Sequence, residues 1–149
     1  MPTTGTSRKN RVVVQYAVPR RGIPRAAALR SWAGQVSGVT LRIVGAREGR
    51  RLNSAFRKTN KATNVLSFPY GKGSGDVVLC HPVIAREARA QGKTLAAHYA
   101  HLVVHGILHL RGYDHEKKRD ALRMERREAR ILRRLGFPDP YAVKSPASR

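Results

Sequence analysis

Residues 105–115 read HGILHLRGYDH, and no other stretch restricts the fold as much. His105, His109 and His115 stand at offsets zero, four and ten, with Gly112 between the last two. On a helix, residues four apart lie one above the other, with Cβ atoms about 5–6 Å apart, so His105 and His109 can converge on one ion. A glycine past the last turn can take the left-handed conformation and reverse the chain, which swings His115 back toward that pair. The spacing therefore predicts a helix through His109, a sharp turn at Gly112 and a return.

Three imidazoles suit zinc, which needs Zn–N distances of about 2.0–2.1 Å; with three protein ligands it keeps a fourth, open position for water. That is the pattern of a catalytic site. The offsets match the metalloprotease signature H-E-x-x-H-x-x-G-x-x-H except that Gly106 replaces the Glu that serves as base. A glycine cannot take a proton, so the site reads as hydrolytic but not proteolytic. The base is then a zinc-activated hydroxide or, second, Asp114, for which capping the turn or orienting a histidine as an outer acceptor is the favoured role. His98 and His101 fall on the same helical face upstream, for packing or for substrate contact. His81 ends a strand with no assigned role, and Cys80 reads as a small buried strand residue.

The rest of the chain supplies a frame. RVVVQYAV (11–18), VTLRIVGA (39–46), TNVLSFPY (63–70) and DVVLCH (76–81) read as strands, with GKGSG (71–75) a flexible turn. A helix begins near Pro24, presents Leu29, Trp32, Ala33 and Val36, and stops at Gly38. A short one follows at about 47–57. Pro82 opens another that Gly92 closes, and Thr94 can cap the histidine helix. A last helix, about 116–135, ends at Gly136 with Ala121, Leu122, Ala129, Leu132 and Leu135 as its buried stripe. Strands and helices interleave without strict alternation, so the expected class is α+β: one domain, a small mixed sheet of about four strands flanked by about five helices, with the three-histidine metal site in a cleft.

Charge narrows the partner. Thirty Lys and Arg against nine Asp and Glu give a net +21, spread along the whole chain. Such a field attracts polyanions, nucleic acid first and anionic membrane second. No apolar run approaches the ~18 residues of a spanning helix, and MPTTGTSRKN has no signal-peptide core. One cysteine permits no intramolecular disulfide, which fits a cytoplasmic protein without a disulfide-linked partner.

HGILHLRGYDH resembles the H-G-x-L-H-L-x-G-Y-D-H signature of the YbeY family, bacterial single-strand-specific endoribonucleases and ribosome maturation factors. LNSAFRKTNKATNVLSFPY (52–70), GDVVLCHPVIAREARAQGK (75–93) and FPDPY (137–141) resemble further blocks of that family. The resemblance implies one zinc per chain on His105, His109 and His115, and an active-site role for Arg57. It implies ribosomal RNA and the small ribosomal subunit as partners, with a function in 16S rRNA 3′-end maturation and ribosome quality control. The likeness covers most of the chain after about residue 38; residues 11–141 read as one YbeY-like metal hydrolase domain, between a polar, basic N-terminus (1–10) that reads as disordered and a tail (142–149).

Asn60 stands where many members have Asp, Cys80 where Ser or Ala is frequent, and the arginine-rich 116–135 segment where many are acidic. The departures bear on the docking surface more than on the active site. Arg123, Arg127 and Arg130 are candidate RNA contacts, and Tyr70 and Tyr113 are candidates to stack bases, with packing beside the turn the favoured reading of Tyr113. Two other functions stay open: a non-enzymatic assembly factor with a structural zinc, and a metal-dependent hydrolase of another substrate.

Overall fold

The structure, a computed structural model, describes residues 12–57, 63–114 and 116–142, and of Phe56 and Arg57 the backbone alone. The expectations for residues 1–10, for Asn60, for His115 and for the tail beyond 142 lie outside the described residues. Among the described residues there are four strands, β1 (Val12–Tyr16), β2 (Val39–Val44), β3 (Val65–Gly71) and β4 (Ser74–Cys80). Five helices accompany them: α1 (Ala26–Ala33), α2 (Ala46–Arg57), α3 (His81–Gln91), α4 (Leu95–Leu110) and α5 (Lys118–Arg134).

The sheet runs β1-β2-β4-β3, parallel at its first two pairings and antiparallel between β4 and β3. Val77 and Leu79 of β4 face one layer, while Val78 and Cys80 face the other. A strand covered on both sides reads as a continuous apolar run, as VVLC does. Within the GKGSG segment the turn is a tight hairpin: Gly71 pairs with Ser74, and Lys72 (φ 57°) and Gly73 (φ 82°) close it. Two central residues with positive φ match the twist of the strands they join. Pro69 is tolerated because β3 is an edge strand.

One sheet face packs against Leu29 and Ala33 of α1 and Tyr99, Leu102, Val103, Ile107 and Leu110 of α4. The opposite side of α4, through Ala100, Val104 and Leu108, packs against Met124 and Leu132 of α5. Helix α4 is thus sandwiched. Ten of its residues are buried. At about 1.5–3 kcal/mol for each large apolar side chain, this packing fixes its axis far more firmly than helix propensity does. No helix among the described residues is long and apolar enough to cross a membrane.

Two expectations need correction. Helix α1 ends at Ala33 because Gly34 adopts φ 81°, so Val36 lies beyond it, although still packed on the core. The buried stripe of α5 is Met124, Glu128 and Leu132; Leu122 is 44% exposed, and Ala121, Ala129 and Leu135 are only partly covered. The tilt of α5 against α4, which its own periodicity does not specify, selects that row.

Candidate metal centre

Helix α4 starts where the Thr94 hydroxyl accepts the Ala97 amide at 3.0 Å. It ends where the Gly112 amide donates to His109 O and the Tyr113 amide to Leu108 O, both at 3.0 Å. Gly112 sits at φ 96°. This is the paired closure that a left-handed residue after a helix produces, and it turns the chain back as the spacing predicts. Asp114 Oδ1 accepts the Glu116 amide at 3.2 Å, so Asp114 does cap the turn.

Along α4 the histidines form a ladder. Ring centroids are 6.3 Å apart for His98–His101, 6.2 Å for His101–His105 and 4.6 Å for His105–His109. His105 and His109 are therefore brought together; His115 falls outside the described residues. Gly106, between them, carries the carbonyl that Ser67 of β3 donates to at 3.3 Å. A Cβ at this position would lie 2.6 Å from Val77 Cγ1. Steric closeness to β4 is what keeps an acid out of position 106.

Behind the ladder lies a residue that sequence reasoning missed. Glu128 of α5 is fully buried, with Oε2 2.5 Å from His105 Nδ1 and Oε1 3.1 Å from His101 Nε2. The Tyr141 hydroxyl also donates to Oε1. Burial pushes the Glu128 carboxyl up, but the hydrogen bonds from His101 and His105 and the electrostatic pull of His105, with help from Tyr141, outweigh it and hold it down to about 2. Ligand atoms of His101, His105 and Glu128 lie within 4.8 Å of one another, a group that could hold a metal. The signal was present as an acid in the row Met124-x3-Glu128-x3-Leu132, hidden among arginines that suggested a solvated face.

The remaining candidates separate. His98 is buried, with Nε2 2.9 Å from Glu87 Oε1, and burial lowers its pKa despite that partner. His81 opens α3 and shares a 2.7 Å hydrogen bond with the Tyr99 hydroxyl. Cys80 is buried, and burial pushes its thiol up. Arg57 is the last residue of α2, its side chain undescribed. On α5, Arg123 and Arg130 are exposed and Arg127 is half-buried. Tyr113 packs with the α4–α5 layer, whereas Tyr70 is 69% exposed and donates to Asp76.

Fold and site define a small α+β protein with a candidate metal centre on its central helix. The sequence model of the family described as Endoribonuclease YbeY matches residues 20–136. A Nitrosomonas eutropha protein named Endoribonuclease YbeY is 48% identical over 140 residues, covering 89% of this chain and 99% of the relative. One from Aromatoleum aromaticum, of the same name, is 48% identical over 150 residues, covering 94% and 97%. The chain belongs to the YbeY family. In fold it is similar to the solution structure of TM1509 from Thermotoga maritima, with a TM-score of 0.55 at 24% identity over 93% of this chain and 100% of that one.

Proposed function

We propose that this chain is a zinc-dependent endoribonuclease that cuts single-stranded RNA in the cytoplasm. In this reading His105, His109 and His115 hold one zinc ion. The observation that carries it is the His105–His109 pair, ring centroids 4.6 Å apart, one turn before the chain reverses at Gly112. The donor set fits zinc, and a carboxylate on His105 Nδ1 is the outer partner that metal-binding histidines usually have. When bound, the ion supplies Lewis acidity and lowers the pKa of water toward ~7.

The chain's own residues would do the rest. Arg57 would place a guanidinium against two phosphate oxygens where the transition state gathers negative charge. With no acid at position 106, no side chain there competes for the proton. Arg123, Arg127 and Arg130 would carry the RNA backbone along α5. Splayed single strands suit such a site better than an A-form duplex does. The relatives' names and the net charge of +21 support an RNA substrate. Maturation of the 16S rRNA 3′ end on the small ribosomal subunit, with a part in ribosome quality control, is the setting we infer.

A matched assay tests this. Wild type and His109→Ala would be given single-stranded ribosomal RNA, with bound metal counted by mass spectrometry. Wild type should hold about one zinc and cut, and the variant should hold none and fail to cut. Equal cleavage by both would sink the reading. Zinc without cleavage would point to the assembly-factor role.

A further inference from the structure

The Glu128 carboxylate lies in a fully buried position between two helices and the C-terminal turn. An isolated buried charge is costly, and what surrounds this one is specific. His105 Nδ1 meets Oε2 at 2.5 Å, while His101 Nε2, at 3.1 Å, and the Tyr141 hydroxyl meet Oε1. A carboxylate has no proton to give and can only accept. Burial, then the hydrogen bond to Glu128, raise the Tyr141 pKa, so the phenol keeps its proton. All three partners are therefore donors. In a neutral His105 ring, that contact calls for the proton on Nδ1 and leaves the lone pair on Nε2.

We propose that Glu128 is the positioning residue of the metal centre: it fixes His105 as the Nδ1–H tautomer and so presents Nε2 to the ion. His101 and Tyr141 anchor the other carboxylate oxygen, which makes α5 and the C-terminal turn part of the site. The proposal rests on His105 being a metal ligand, as read above. The competing arrangement puts the ion among His101, His105 and Glu128 themselves. Two ligands of one tetrahedral zinc sit about 3.4 Å apart, given metal–ligand bonds of about 2.0–2.2 Å. The 2.5 Å between His105 Nδ1 and Glu128 Oε2 is a hydrogen-bond distance and too short for that. A cation on Nε2 would instead offset the buried charge through the ring.

The experiment uses the full chain labelled with nitrogen-15 at histidine, metal-free and then with added Zn2+. Long-range proton–nitrogen spectra report the His105 tautomer, and competition with a chelator reports zinc affinity. Metal-free wild type should show Nδ1–H, and zinc should shift Nε2. Glu128→Gln puts an amide donor against at least one of three donors, so the tautomer should become mixed and zinc affinity fall about 10–100-fold. Tyr141→Phe removes one anchor from a partly exposed residue and should give a smaller loss with the fold intact.

An Nε2–H tautomer in metal-free wild type, zinc binding through Nδ1, or an unchanged tautomer and affinity in Glu128→Gln would overturn the inference. Any of these leaves the metal reading standing if wild type still takes zinc and His109→Ala does not. Wild type with Nδ1–H that takes no zinc would overturn both, with the tautomer result showing where the failure lies.

Discussion

A Cβ placed on Gly106 would meet Val77 Cγ1 at 2.6 Å, Val77 Cγ2 at 3.1 Å and Ser67 Oγ at 3.3 Å. Val77 is a fully buried residue of the sheet and has no slack to give. The sequence explained what Gly106 lacks as a base; only the packing explains why it is glycine. Gly106→Ala should cost about 1–3 kcal/mol by overpacking, of which better helix propensity returns at most ~1. Denaturant midpoints measure this, and Val77→Ala in the same chain should recover much of the loss. Additive effects of the two substitutions would mean that the contact does not set the residue.

At the scale of elements, α4 is tied on both flanks by polar bridges that its apolar pattern does not reveal. To α5 it is joined through Glu128. To α3 it is joined by His98 Nε2 on Glu87 Oε1, where the Asn64 amide also donates at 3.0 Å. Burial lowers the His98 pKa below its ordinary 6.5, against the pull of Glu87 and with Lys93 and His101 adding repulsion. Below pH 6.5 the unfolded chain then binds a proton that the native state refuses, so stability rises with pH in that window. The contribution is complete above pH 6.5 and is lost as pH falls through the folded value. Unfolding of metal-free protein should show this, with a slope from His98 of at most ~1.4 kcal/mol per pH unit. His98→Gln should flatten it in part, since burial lowers the His81 pKa as well. No change in slope would remove His98 from the account.

For the whole molecule, the net charge of +21 is an electrostatic statement about partners rather than about the fold. It predicts salt-sensitive binding. On a single-stranded RNA oligonucleotide, log Kd should depend linearly on log salt, and each lost phosphate contact should reduce the slope by about 0.7. Arg123→Gln and Arg130→Gln, both exposed, should each lower it, and Arg127→Gln, half-buried, should lower it less. An unmoved slope for the exposed pair would take α5 out of the interface. The local signals read directly from the sequence were those carried by one residue and its neighbours. They gave the Thr94 cap, the Gly112 reversal, the His105–His109 pairing, the four strands and five helices, and the family motif. Helix spacing, turn chemistry and hydrophobic periodicity act over a few residues, so the chain alone determines them. The pairing order β1-β2-β4-β3, the burial of Glu128 in place of Leu122, and the contact at Gly106 each depend on where a distant segment lies. They were decided by tertiary packing, because burial and close approach are properties of pairs of surfaces, and one stretch of sequence specifies only one of the two.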